Sequence, residues 1–262
     1  LMLGLYDSGL GGLTVLAALR QAGVDADVVY FADQAHVPYG DRSDENLYGL
    51  LAENFALLAA HDVDAIVMAC NTSCAVASRH GGFPPARGPV LDLIANAAAG
   101  LREAPFTRIA VIATAATVRS GAYRREIARA APQLEVIEIA APALVPLVEG
   151  GLAQTAQARA AVRDVCSRLP ASIDAVVYGC THYPLLDAHF AAVLGERVVR
   201  IDPAVAQAAA TATLIDALGL ASGNGRTRYL TNGDVVAFER NVRRWTGDAT
   251  GLVTSVTALA GH

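Results

Sequence analysis

Apolar residues along this chain fall into two alternating patterns. Short continuous runs rich in Val, Ile and Leu suit strands buried on both faces of a parallel sheet. Between them lie longer Ala- and Leu-rich stretches whose apolar positions recur at helical spacing. The runs predict strands at Met2–Tyr6, Asp27–Phe31, Ala65–Ala69, Val90–Leu91, Arg108–Ala113, Glu135–Ala140, Ala175–Tyr178 and Val198–Ile201. The longer stretches predict helices at Leu13–Ala22, Asp44–His61, Thr117–Ala131, Thr155–Leu169 and Ala204–Leu218. Strand–helix alternation of this kind predicts an α/β protein built on parallel sheets. No low-complexity linker divides the chain, so any domain boundary must be a chain crossing inside a compact body.

An internal repeat sharpens that expectation. Asp64-Ala-Ile-Val-Met-Ala-Cys70 and Asp174-Ala-Val-Val-Tyr-Gly-Cys180 match at four of seven positions, 110 residues apart. Each ends an apolar run at a cysteine followed by hydroxyl or amide residues, Asn71-Thr72 in one and Thr181-His182 in the other. A weaker echo pairs Gly4-Leu5-Tyr6-Asp7-Ser8 with Ala110-Val111-Ile112-Ala113-Thr114. Any two buried parallel strands look alike, but strand chemistry does not require a terminal cysteine with a polar follower in both copies. The repeat therefore predicts two pseudo-symmetric open parallel-sheet domains facing each other, with the site in the cleft between them. Their expected extents are residues 1–94 with 207–262, carrying Asp7 and Cys70, and residues 95–206, carrying Cys180 and His182.

Ligands of open α/β sheets collect beyond the carboxyl ends of the strands. Three polar clusters sit at such ends: Asp7-Ser8-Gly9, Cys70-Asn71-Thr72 and Cys180-Thr181-His182. Each precedes a predicted helix, whose free N–H groups favour an anionic ligand group. The glycines of Asp7-Ser-Gly-Leu-Gly-Gly12 lack the dinucleotide spacing G-x-G-x-x-G, so they do not imply NAD. Alone they read as structural; with Ser8, Asn71, Thr72 and Thr181 they form a neutral-donor cradle for carboxylates.

Composition then removes competing chemistries. All 20 basic side chains are arginine and no lysine is present, which excludes Schiff-base catalysis on pyridoxal phosphate and a Walker-type phosphate loop. A net charge of −5 with scattered arginines argues against nucleic acid as a partner. No apolar run reaches the roughly 18 residues of a membrane helix. Leu1–Tyr6 lacks a basic flank and meets Asp7 at once, so it reads as a strand and not a signal peptide. Four cysteines in 262 residues fit reduced cytosolic thiols better than a disulfide framework. Cys166, in an amphipathic stretch, reads as a core filler.

Two thiols at duplicated strand ends would lie on opposite sides of one ligand. Racemisation at a carbon needs that arrangement: a base removes the proton from one face and an acid returns one to the other. Asp7 and His182, at neighbouring strand ends, are the natural helpers, although a single histidine is as readily structural. Cys70-x3-Cys74 with Cys180-x-His182 offers a zinc reading, which suffers because Cys74 falls a turn into a helix and C-x-H chelates poorly. A redox dithiol lacks its C-x-x-C.

Taken together, Asp7-Ser-Gly-Leu-Gly-Gly-Leu-Thr-Val15, Val37-Pro-Tyr-Gly40, Ala69-Cys-Asn-Thr72, Val148-Glu-Gly150 and Gly179-Cys-Thr-His-Tyr-Pro-Leu-Leu186 resemble the cofactor-independent glutamate racemases of bacterial cell-wall synthesis, within the aspartate/glutamate racemase superfamily. The resemblance runs over nearly the whole chain. It implies Cys70 and Cys180 as the two bases, Cys70 serving D-glutamate and Cys180 L-glutamate, assisted by Asp7, His182 and Glu149. It implies substrate contacts from Asp7, Ser8, Tyr39, Gly40, Asn71, Thr72, Thr114, Thr117, Thr181 and His182. It also implies no cofactor and no metal, a homodimer, a cytoplasmic location and D-glutamate for peptidoglycan. Alternatives are a sister enzyme acting on aspartate or another small acid, and a catalytically silent amino-acid-binding protein. Two departures stand out: Ser73-Cys74 where Ala-Ser is usual, and Phe31-Ala-Asp-Gln-Ala-His36 for the commoner Phe-Gly-Asp-Thr-Ala-Arg.

Overall fold

The computed structural model describes residues 1–219, 223–249 and 251–256. Strands are β1 (Met2–Asp7), β2 (Asp27–Ala32), β3 (Ala65–Met68), β4 (Val90–Leu91), β5 (Arg108–Ala113), β6 (Glu135–Ala140), β7 (Ala175–Gly179), β8 (Val199–Ile201), β9 (Thr227–Thr231) and β10 (Val253–Ser255). Helices are α1 (Leu13–Gln21), α2 (Asp44–Ala59), α3 (Asn71–Arg79), α4 (Leu93–Gly100), α5 (Ala115–Ser120), α6 (Ala122–Ala130), α7 (Leu144–Glu149), α8 (Ala156–Ser167), α9 (Asp187–Leu194), α10 (Pro203–Leu218) and α11 (Val235–Thr246).

The strands form two sheets, ordered β10-β9-β2-β1-β3-β4 and β6-β5-β7-β8, with every pairing parallel. Strands β2-β1-β3-β4 of the first sheet follow the same order as β6-β5-β7-β8 of the second, so the internal repeat is a repeat of topology. Its two aspartates also do the same work. Asp64 accepts the Met2 N–H at 2.8 Å at the start of β1, and Asp174 accepts the Thr107 and Arg108 N–H groups at 2.7 and 2.9 Å at the start of β5. Each carboxylate satisfies a backbone donor at the entrance to the central strand of its sheet. All four residues of β3 and all five of β7 are buried, as strands covered on both faces must be.

The chain leaves the first sheet through α4 and returns through α10. Their packing is pinned by Asn96 Nδ2 donating to Gln207 Oε1 at 2.6 Å. Gln207 Nε2 in turn donates to the carbonyls of Met68 and Leu91, at the ends of β3 and β4.

Two expectations are corrected. The predicted helix Thr117–Ala131 is two helices, because Gly121 adopts φ +64° and its left-handed turn ends α5 before α6 begins. The polar stretch Thr227–Thr231, read from sequence as no element, is a strand that extends the first sheet beside β2. Among the described residues no helix is long and apolar enough to cross a membrane. Cys166 is buried in the core, as its helix position predicted.

Candidate active site

The carboxyl ends of β1, β3, β5 and β7 converge on one pocket. The matched sheets supply it in matched pairs. Ser8 follows β1 and Thr114 follows β5; Cys70 follows β3 and Cys180 follows β7; Asn71 and Thr181 come next, and all six line the pocket. Tyr39, Gly40, Thr72 and His182 complete the set of predicted residues found on its wall. The thiols of Cys70 and Cys180 are free and buried. Cys74, one turn into α3, faces the Asp92 carboxyl at the start of α4 and is not part of the wall. Among the described residues no group of three or more His, Cys, Asp or Glu is gathered as metal ligands would be.

Three predicted residues stand behind the wall. Asp7 is fully buried: Oδ2 accepts the N–H groups of Gly9 and Gly12 at 2.9 and 3.0 Å, and Oδ1 accepts the Thr181 hydroxyl at 3.3 Å. Glu149 Oε1 sits 2.6 Å from His182 Nε2 and also accepts the Leu10 N–H at 2.9 Å. Thr117 lies under Thr114: the Thr114 hydroxyl caps α5 by accepting the Thr117 N–H at 3.2 Å, and both hydroxyls bond to Thr72 Oγ1. That triad ties α3 of one lobe to α5 of the other. Tyr39 is on the wall, but its hydroxyl donates to Asp33 and accepts from Tyr6 at 2.7 Å, so it is not free for a ligand.

The glycine loop explains how the lobes come so close. A Cβ at Gly9 would stand 2.0 Å from Glu149 Oε1, and one at Gly11 would stand 2.5 Å from His182 Nδ1 and 2.6 Å from Thr181 Oγ1. Any side chain here would displace the second lobe's polar groups. The structural reading of these glycines therefore gives way to a specific one: they admit His182 and Glu149.

Electrostatics separate the two sides. Burial, and then the Asp7 charge, push the Cys70 thiol up to about 11, against hydrogen bonds from Ser73 and Ser8. The Cys70 sulfur lies 3.7 Å from Ser8 Oγ. On the other side His182 Nδ1 lies 3.7 Å from the Cys180 sulfur. Burial disfavours charge on His182, but hydrogen bonds to Cys180 and Glu149 outweigh it and hold the imidazole well above its usual range. Burial likewise opposes ionisation of Glu149, yet the His182 partner and the Leu10 N–H keep its carboxyl below the usual range. Burial raises Asp7 despite the His182 charge and its two backbone donors. His182 is thus a charged donor aimed at Cys180, able to hold a proton near that sulfur or give one up.

Five wall residues escaped the sequence reading: Pro38, Asp41, Ala115, Pro142 and Val145. Pro38, Asp41 and Ala115 adjoin residues that were read. Pro142 and Val145 carried no signal, since they reach the pocket only through the turn after β6.

The departures at Ser73, Gln34 and His36 all enter hydrogen-bond networks, buried at Ser73 and partly buried at the other two. Ser73 Oγ donates to Tyr6 at 3.5 Å and faces Cys70. His36 Nδ1 lies 2.6 Å from Asp33 Oδ1, and Gln34 Nε2 reaches Glu149 Oε2 at 3.5 Å.

Comparison with known proteins agrees with this architecture. Residues 14–211 match the family model described as Asp/Glu/hydantoin racemase. The chain is 37% identical over 269 aligned residues to a glutamate racemase of Desulforudis audaxviator, covering 98% of this chain and 97% of that one. It superposes on the crystal structure of glutamate racemase isoform RacE1 from Bacillus anthracis with a TM-score of 0.88 and 32% identity, over 97% of each chain. A glutamate racemase from Francisella tularensis, solved in complex with D-glutamate, gives a TM-score of 0.87 at 26% identity over 99% of this chain and 98% of that one. With a family match across three quarters of its length and a shared two-sheet fold, the chain belongs to the Asp/Glu/hydantoin racemase family.

Proposed function

We propose that this protein is a glutamate racemase that interconverts L- and D-glutamate by cofactor-free proton transfer at Cα. One observation carries the reading: Cys70 and Cys180, from equivalent strand ends of two parallel sheets, line a single pocket. With L-glutamate bound, Cys180 as thiolate takes the Cα proton and becomes a thiol, while the Cys70 thiol delivers its proton to the opposite face and becomes a thiolate. D-glutamate leaves, and the enzyme is then in the form that accepts D-glutamate. Exchange of protons with solvent, or turnover in reverse, restores the first form. Between the two transfers, the negative charge spread onto the α-carboxylate is met by fixed donors of the wall: Ser8, Asn71 and Thr72. Asp7, His182 and Glu149 hold the thiols and their protons in place from behind and beside the wall.

The division of labour takes residues 1–94 with 207–262 as one lobe and 95–206 as the other. Residues 220–222, 250 and 257–262 of the first lie outside the described residues. In the cell the product would feed peptidoglycan synthesis from the cytoplasm, made by a homodimeric enzyme.

Isotope exchange tests the reading. Incubation with L-glutamate in deuterated buffer should yield D-glutamate carrying deuterium at Cα. The absence of both exchange and inversion would refute racemisation; inversion of aspartate alone would move the substrate assignment to another small acid.

A further inference from the structure

Resting on the racemase reading, we propose that Tyr123 is a positioning residue for the substrate: its hydroxyl fixes the Asn71 carboxamide so that Nδ2 is presented to a ligand carboxylate. Tyr123, on α6 of the second lobe, donates from its hydroxyl to Asn71 Oδ1 at 2.6 Å. Both side chains are buried, Tyr123 at 0% and Asn71 at 2% exposure. Tyr123 is not on the pocket wall, and Asn71 is.

The two ends of a carboxamide are nearly the same size, so packing cannot choose between them. Hydrogen bonds must. With Oδ1 held by Tyr123, the NH2 group is the end left over: Nδ2 is a buried side-chain atom with no partner in the protein, on a residue that lines the pocket. Leaving a buried donor unpaired is costly, and a carboxylate arriving in the pocket would satisfy it with a charge-assisted hydrogen bond. The opposite orientation would aim the Oδ1 lone pairs at that carboxylate. Tyr123 is suited to the task because burial, reinforced by the Asp92 and Asp202 carboxyls, holds its phenol well above the usual range, so it stays a donor. Because Tyr123 and Asn71 belong to different lobes, the amide is fixed only while the lobes are together.

A double-mutant cycle on the full chain tests this, with glutamate of both enantiomers as the probe. Tyr123→Phe should raise KM about tenfold for L- and D-glutamate alike, the loss of one correctly aimed charge-assisted hydrogen bond. Its kcat should also fall, because the same amide donor meets the charge that develops between the two transfers, while far-ultraviolet circular dichroism should show the protein folded. In an Asn71→Ala background the same change should cost less than about twofold, because no amide remains to be aimed. The Asn71 side-chain NH2 resonances, assigned by their loss in Asn71→Ala, should shift or broaden in Tyr123→Phe without any ligand. An unchanged KM, an equal penalty in the Asn71→Ala background, or unmoved resonances would each overturn the proposal. An inactive wild type would instead count against the racemase reading, and the resonance measurement still decides the orientation of the amide.

Discussion

Glu149 and His182 meet at 2.6 Å, and the same Glu149 oxygen accepts the Leu10 N–H of the opposite lobe at 2.9 Å. One carboxylate therefore helps, with Cys180, to hold the charge on the imidazole and also joins the glycine loop to the second sheet. The folded-state pKa of His182 is raised, so its contribution to stability is full below about 6.5 and is lost as pH rises through the folded value. That of Glu149 is lowered, so its contribution holds above about 4.5 and is lost as pH falls through the folded value. Glu149→Gln should lower the melting temperature most near neutral pH, with the gap to wild type narrowing towards both extremes. Thermal melts across pH check this; a constant gap would contradict it. Racemisation should fall on the order of ten- to a hundredfold in the same variant, the range of an orienting partner to a catalytic group.

Cys70 should react as a thiol in the ligand-free protein. With its pKa pushed up to about 11, the thiolate fraction at pH 7 is on the order of one in ten thousand, four units below the midpoint. Besides Asp7, the groups facing it are the neutral phenols of Tyr6 and Tyr30, the Cys74 thiol and the hydroxyls of Ser8 and Ser73. Alkylation of Cys70 by iodoacetamide, followed by peptide mass spectrometry, should rise about tenfold per pH unit up to pH 10. In Asp7→Asn the curve should move to lower pH, since one of the charges raising the thiol is gone.

Gly11→Ala should be far more damaging than its one methyl group suggests. The added Cβ would stand 2.5 Å from His182 Nδ1, far inside the closest approach of a real Cβ. Displacement of a positioned group by about an ångström costs on the order of a hundredfold in rate. Racemase assays should show that loss while far-ultraviolet circular dichroism is unchanged. Near-wild-type turnover would mean that the loop yields freely.

Ser73→Ala, which restores the residue usual in the resembling family, should shift Cys70 rather than the fold. The Ser73 hydroxyl and amide both favour the thiolate, and the substitution removes only the hydroxyl. Cys70 alkylation at pH 9 should slow several-fold with little change in melting temperature. The hydrogen bond lost to Tyr6 is long, at 3.5 Å, and Asn54 still donates to that phenol at 3.1 Å.

Much of the architecture was legible in the chain because buried parallel strands leave continuous apolar runs. β1, β3, β5 and β7 were read this way, each near its observed limits. The repeat ending in Cys70 and Cys180 also announced two matched sheets. α3 was legible only as a helix after Cys70, without limits: residues 71–77 are buried on every side, so no polar face marks its period. β9 was missed because Thr-Arg-Tyr-Leu-Thr has too few apolar residues to form a run; its strand state comes from pairing with β2.

The sequence by itself determined the chemistry on offer: two thiols, a histidine, acidic helpers, neutral donors and no lysine. Those follow from residue type and from position at a strand end, which local pattern reveals. Tertiary structure alone decided which groups meet. It put Glu149 on His182, Tyr123 on Asn71, and Asp7 and Thr117 behind the wall. These contacts join residues 33, 52, 174 and 45 positions apart. Such distances close only when two sheets pack, and burial then sets the proton affinities that a linear chain does not carry.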